Sequence, residues 1–318
     1  MTTLMRWALP VLSCLLSFST IEGSSRLQSL TQQIEDSSLN VGYTYRQDAL
    51  NWNIGFADGT PNILSELSWK DLYIHQVTAV GTVTTKNQFY VRGIADYGQI
   101  YHGRNQDSDY LGDNRTFEFS RSINKANKGE VFDLSIAVGR LFSSQCHTIR
   151  LVPLIGYSLH EQHLKMTDGD QVLFLLNPAS EGPIEGLDSS YNAKWFGPWV
   201  GVDLFFDYTP TLTFFGTFEY HYSTFYRGEG DWNLRTDFLD NFHHKAEGHG
   251  LSGALGVKYH LYANWELSLI ASYQKWTTKK GNHTVLVDLD GVFALAGAQL
   301  NRVNWHSGAL TAAAGYSF

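Results

Sequence analysis

With 318 residues, 23 Lys and Arg against 31 Asp and Glu, and a formal charge of −8, the chain is a poor match for a nucleic-acid partner. Its two cysteines are Cys14, in an N-terminal leader, and Cys146, so the remaining chain is not a disulfide scaffold. No stretch is apolar for 18 residues and mean hydropathy is −0.21, which excludes a transmembrane helix. Aromatics nevertheless reach 14%, with 9 Trp, 17 Tyr and 19 Phe, an excess that suits aromatic girdles at two membrane interfaces.

Residues 1–24 read as a signal peptide. Met1 to Arg6 carries one positive charge, Trp7 to Leu16 is an apolar run too short to span a bilayer, and small polar residues follow. Residues 25–318 read as one barrel, since no Pro- or Ser-rich linker divides them. Leu39 to Phe56 alternates imperfectly and predicts a first strand. Ile63 to Val83 predicts a second, and Lys86-Asn87 turns the chain into a third through Phe89, Val91, Ala95 and Tyr97. His102 to Arg115 is polar and is expected to be an outer loop.

Leu134, Ile136 and Val138 mark a fourth strand, and Ser144-Gln145 turns into a fifth from Ile149 to Leu159. A long loop is expected from His163 to about Tyr191. Val200 to Tyr208 and Leu212 to Tyr222 are joined at Thr209-Pro210, where Pro is tolerated at a strand end. Arg227 to His249 reads as another long loop. The clearest element follows. Leu251, Leu255, Val257, Tyr259 and Leu261 alternate with small or polar residues, and after Ala263-Asn264 the pattern resumes at Trp265, Leu267, Leu269 and Tyr273. Such a hairpin, apolar on one face and polar on the other, predicts an antiparallel transmembrane β-barrel, because an open sheet edge is prohibitive in lipid.

The count is about ten strands, with four short turns alternating with long loops near residues 58, 105, 175, 237 and 290. The fold class is therefore all-β, a ten-stranded barrel with long extracellular loops in a bacterial outer membrane. Tyr316-Ser317-Phe318 resembles the C-terminal signature that the outer membrane assembly machinery recognises. Inward faces are expected to carry Arg92, Asp96, Arg140, Asp203, Asp207, Glu219 and Lys258, and either to pair and plug the lumen or to line a narrow channel.

Leu67-Ser68-Trp69-Lys70, Ala126-Asn127, Phe132-Asp133-Leu134 and Thr278-Lys279-Lys280-Gly281-Asn282, spread along this layout, resemble the omptins, ten-stranded outer membrane endopeptidases. The resemblance implies an Asp-x-Asp pair facing an Asp-x-His pair. Asp107 and Asp109 match the first, and Asp231 matches the carboxylate of the second, but Asn233 stands where the His belongs. An amide cannot act as a general base near neutral pH. His243, His244 and His249 lie further along the same stretch, and His221 is expected to face the lumen.

Looser in layout is a similarity to outer membrane proteins of environmental chlamydiae, for which a porin role is the expectation. The resulting expectation is a monomeric, non-enzymatic pore or surface barrel, with an omptin-type endopeptidase as the alternative. No cofactor or metal is called for. The expected partners are membrane lipid, with lipopolysaccharide implied by the omptin resemblance, and the assembly machinery through Tyr316 and Phe318.

Overall fold

The structure, a computed structural model, describes residues 33–318 except His147 and Ala263. The leader read over residues 1–24, with Cys14, and Ala263 of the hairpin turn lie outside the described residues. Ten staves close one sheet. They are β1 (Ile34–Gly55), β2 (Ser65–Thr85), β3 (Phe89–Tyr110) and a segmented β4 (Glu118–Lys125, Gly129–Arg140 and Phe142–Ser143). After them come β5 (Ile149–Phe174), β6 (Gly182–Thr209), β7 (Leu212–Asp231), β8 (Phe242–His260), a two-part β9 (Trp265–Thr278 and Gly281–Leu289) and β10 (Val292–Ser317). Each pairs antiparallel with its sequence neighbours, and β1 pairs β10 from Ser38↔Ser317 to Gly55↔Gln299, which removes the edge.

The staves are much taller than a bilayer requires. A crossing takes about 9–11 residues, whereas β5 has 26 and β6 has 28. The polar stretches expected as loops are thus largely strand: β3 runs on to Tyr110, β5 and β6 leave only residues 175–181 between them, and β7 and β8 leave 232–241. Near residue 290 the chain makes a tight turn at Asp290-Gly291, both at positive φ. Above the membrane the outer face meets water, so the apolar alternation that marks a strand in lipid disappears from the sequence.

Within the membrane, alternation is regular. In β1, Leu39, Val41, Tyr43 and Tyr45 face out while Thr44, Arg46 and Asp48 are buried inside. In β8, Leu251, Leu255 and Tyr259 face out opposite Lys275, Ala271 and Leu267 of β9, as the hairpin pattern predicts. Arg140 is a correction. It falls on the outward face of β4 with Leu134 and Ile136, exposed, its guanidinium 6.0 Å from the Phe142 ring centre.

The lumen is built in storeys. At the short-turn end lies a cavity of about 350 Å³ walled by hydroxyls such as Thr44, Thr78 and Ser268. Two ionic groups cap it. Arg46 donates to both oxygens of Asp48 at 2.8 Å and to Asp133 at 2.5 Å, and Asp133 is also 2.9 Å from His160 Nδ1. Arg92 bridges Asp203 and Glu219, and Glu219 is 2.8 Å from His221 Nε2. Lower down, Arg150 pairs with Asp207 and Lys258 with Glu266. Above them sits an aromatic plug in which Trp69, Trp195, Trp276, Trp305, Tyr191 and Tyr226 are essentially fully buried. Trp276 stacks on Trp305 at 5.5 Å and Trp69 on Tyr191 at 5.5 Å.

Truncating one member of a buried ion pair leaves its partners uncompensated, at a cost of about 3–5 kcal/mol. Arg46→Met is accordingly expected to lower the unfolding free energy of the refolded barrel, read from urea titrations, by about 3–5 kcal/mol, since Asp48 and Asp133 both lose their cation. A shift under about 1 kcal/mol would show that Arg46 is not the centre of the layer.

Candidate functional site

The cleft above the plug is where the sequence places candidate chemistry, and β-bulges decide what faces it. In the membrane the inward residues of β3 are even-numbered, Tyr90, Arg92 and Asp96 among them. Between Ile100 and His102 β3 spends one residue more than β2. An extra residue flips every later side chain to the opposite face. Asn105, Asp107 and Asp109 therefore turn inward, beside Trp69, Leu67 and Ser65 of β2 and Asn124, Ser122 and Ser120 of β4. The structure thus brings the predicted Asp107–Asp109 pair together on the inner wall.

The same device works against Asp231. In the membrane the inward residues of β7 are odd, Thr217, Glu219 and His221. Between Ser223 and Tyr226 β7 carries one residue more than β8 on one side, and it gains a residue on β6 over the same stretch. Beyond this bulge the inward positions are Tyr226, Gly228 and Gly230, and Asp231 is exposed on the other face. The glycines matter here. A Cβ at Gly228 would lie 2.1 Å from Tyr191 Oη, and one at Gly230 would lie 2.1 Å from the Phe242 ring. Rings occupy the space into which a catalytic pair on β7 would project.

Asn233 is not in the cleft chemistry either. Its Oδ1 accepts from Asp188 N and Ser189 Oγ, both at 3.0 Å, and its Nδ2 donates to Gly186 O at 2.7 Å, pinning the 232–241 loop to β6. What that loop sets near Asp107 and Asp109 is the guanidinium of Arg235, itself held by Asp237 at 2.7 and 2.8 Å and lying 4.1 Å from the Phe238 ring centre. Burial pushes the Asp107 carboxyl well above the usual range, Asp109 adds to this, and Arg235 opposes it. Burial also raises Asp109, against hydrogen bonds from Ser65 and Ser120.

Of the histidines, His249 is exposed and His221 faces the lumen as expected, buried beside Glu219. His244 is completely buried with both ring nitrogens engaged: Nδ1 is 2.8 Å from Tyr191 Oη and Nε2 is 2.9 Å from His283 Nδ1. Tyr191 Oη in turn is 2.7 Å from Tyr226 Oη. This chain of rings is the part of the site that sequence reasoning missed; the signal available was the placement of Trp and Tyr on core-facing strand positions. As chemistry, this end offers a carboxyl pair opposed by a guanidinium, and among the described residues no imidazole hydrogen-bonds either carboxylate. Among the described residues no cluster of His, Cys, Asp and Glu has metal-holding geometry.

A family model for the Protochlamydia outer membrane protein, Pom, matches residues 39–318. The chain belongs to that family. The loose similarity to chlamydial outer membrane proteins is thereby borne out, and so is the bacterial outer membrane location. Among solved structures, the outer membrane protease OmpT of Escherichia coli superposes with a TM-score of 0.71 at 16% identity, covering 89% of this chain and 97% of that one. That likeness shows a shared fold and nothing of activity. The outer membrane protein OprG of Pseudomonas aeruginosa matches at TM-score 0.32 and 9% identity over 90% of this chain and 97% of its own. Ail of Yersinia pestis, an attachment invasion locus protein, matches at 0.28 and 11% over 89% and 98%. A comparison with curated proteins finds no match.

The histidine pair gives the rim a pH signature. Burial, with the neighbouring histidines, lowers His244 well below the ordinary value, and burial lowers His283 to about 4. From about pH 6.5 down to 4 the unfolded chain takes up protons that these rings refuse, so they cost stability on acidification, each by up to about 1.4 kcal/mol per pH unit. Asp107 and Asp109, with raised values, act in the opposite sense: their contribution is complete below the ordinary carboxylate range and lost as pH rises. His283→Gln is therefore expected to flatten the loss of stability between pH 6.5 and 4, read from urea midpoints across that range. An unchanged slope would contradict the assignment.

Proposed function

We propose that this member of the family is a closed, non-enzymatic surface barrel. The observation that carries the reading is the pair of inward glycines on β7, Gly228 and Gly230, whose space is taken by Tyr191 and Phe242. Without inward groups there, Asp107 and Asp109 lack the opposing carboxylate–imidazole pair that a water-activating peptidase needs. Arg235 supplies a fixed countercharge instead. The ionic layers and the plug below argue in the same direction for the lumen, against the small-solute pore. The tall rim above the membrane is then the working surface, suited to recognition.

Its anchoring is read from charge and aromatics. A shallow outer groove carries Arg227, Lys245, Lys279 and Lys280 just beyond the girdle residue Tyr222, a place suited to anionic lipid phosphates such as those of lipopolysaccharide. Tyr316 packs edge-on against Trp265 at 5.3 Å and Phe318 at 5.1 Å, which is consistent with a terminal strand read by the assembly machinery. The barrel needs no second copy to satisfy its edges and is proposed to act as a monomer.

The alternative, an omptin-type endopeptidase, is favoured by the inward Asp107–Asp109 pair and is tested directly. The purified barrel, supplied with lipopolysaccharide, is expected to leave dibasic peptides intact. Asn233→His is expected to gain nothing, because it breaks the loop pin without presenting an imidazole to the cleft. Robust wild-type cleavage, lost in Asp107→Ala, would overturn the proposal.

A further inference from the structure

The cavity at the short-turn end has features that the reading above does not use. Its volume of about 350 Å³ is at the small end of ligand pockets, which run from about 300 to 1,000 Å³. Its mouth includes Asp36, Thr84 and Ser317, at the end of the barrel that is periplasmic in outer membrane proteins. Inside, most carboxylates are answered. Asp133 has Arg46, Asp203 and Glu219 share Arg92, and Glu266 has Lys258. Asp36 stands exposed at the mouth.

Asp96 is different. It lines the cavity, it forms no ion pair among the described residues, and its Oδ1 is buried with no hydrogen-bond partner. The sheet register puts Thr78, Asp96, Asp133 and His160 in one row across β2, β3, β4 and β5, with neighbouring strands about 4.8 Å apart. His160, itself more than nine-tenths buried, contributes a second unpartnered atom, Nε2. Its Nδ1 faces the Asp133 carboxylate at 2.9 Å, so in the neutral ring Nδ1 holds the proton and Nε2 is an acceptor. Two acceptor atoms, Asp96 Oδ1 and His160 Nε2, thus border the cavity without a hydrogen-bond partner, although Thr78 hydrogen-bonds the Asp96 carboxylate and the Arg46–Asp133 pair lies between the two residues. Beyond His160 lie the faces of Trp276, at 4.8 Å, and Trp305, at 5.7 Å.

We propose that this cavity binds a small organic ammonium ion entering from the periplasm, with its charge held by Asp96 and an N–H donated to Nε2 of His160. An unpaired carboxylate is costly to bury, and a cation that donates hydrogen bonds answers both orphaned acceptors at once. The hydroxyl wall of Thr44, Thr78 and Thr311 suits the remaining N–H groups. A metal ion is the weaker occupant, since no metal-holding cluster is present among the described residues.

The test uses the purified, refolded barrel in detergent and isothermal titration with putrescine, with 1,4-butanediol as the uncharged analogue and calcium chloride as the metal control. Putrescine is expected to bind saturably at one site, butanediol not at all, and calcium not to displace it. Asp96→Asn is isosteric and removes a buried unpaired charge, so it is expected to fold at least as stably as the wild type. It should weaken putrescine binding by roughly tenfold or more, whereas Asp168→Asn, in a surface ion pair with Lys125, should leave it unchanged. Absence of saturable putrescine binding, equal binding of butanediol, displacement by calcium, or undiminished binding by a folded Asp96→Asn protein would each overturn the proposal.

Discussion

Arg46 holds two carboxylates from two strands at the centre of the barrel, and the rest of the interior is arranged to make that arrangement tolerable. A guanidinium with only 2% of its surface exposed cannot stand without countercharge, and it has Asp48 beside it on β1 and Asp133 across the lumen on β4. The carboxylates are satisfied in turn by Gln162 and the Trp305 indole on Asp48 and by His160 on Asp133. Every charged group of this network is paired, and buried networks of paired charges stiffen a structure. Here the network also ties non-adjacent strands together across the lumen, something that hydrogen bonds around the wall do not do.

The aromatic plug rests on that layer. Trp276 and Trp305 lie over His160, Trp195 packs on Trp276, and Tyr191 and Tyr226 continue upward to His244. Large rings fill a ten-stranded barrel efficiently, and the polar edges of several find partners within the stack. At the extracellular end the plug is ring, the Asp107–Asp109 pair lies on the inner wall, and the countercharge is an arginine from a loop.

What was legible in the sequence follows from where water and lipid meet the wall. The hairpin from Leu251 to Trp276 declared the barrel because one of its faces meets lipid. Above the bilayer that contrast vanishes, so the upper halves of β5 and β6 read as loop although they pair from Gln171↔Gly182 downward. Asp107 and Asp109 were found through a resemblance, while the bulge that turns them inward leaves no mark in composition. Asp231 was misplaced for the same reason, since an unbroken register of β7 would keep odd residues inside and one extra residue reverses them. Arg140 was assigned inward although its own strand, with Leu134 and Ile136 facing out, has the opposite parity.

The central claim is that the ionic layer and the plug together seal the barrel. Single-channel recording in planar bilayers tests it most directly. The account predicts that the reconstituted wild-type protein gives no conductance steps above the bare membrane, and that replacing Trp195, Trp276 and Trp305 together by Ala introduces them. Stable, reproducible steps from the wild-type barrel would contradict it.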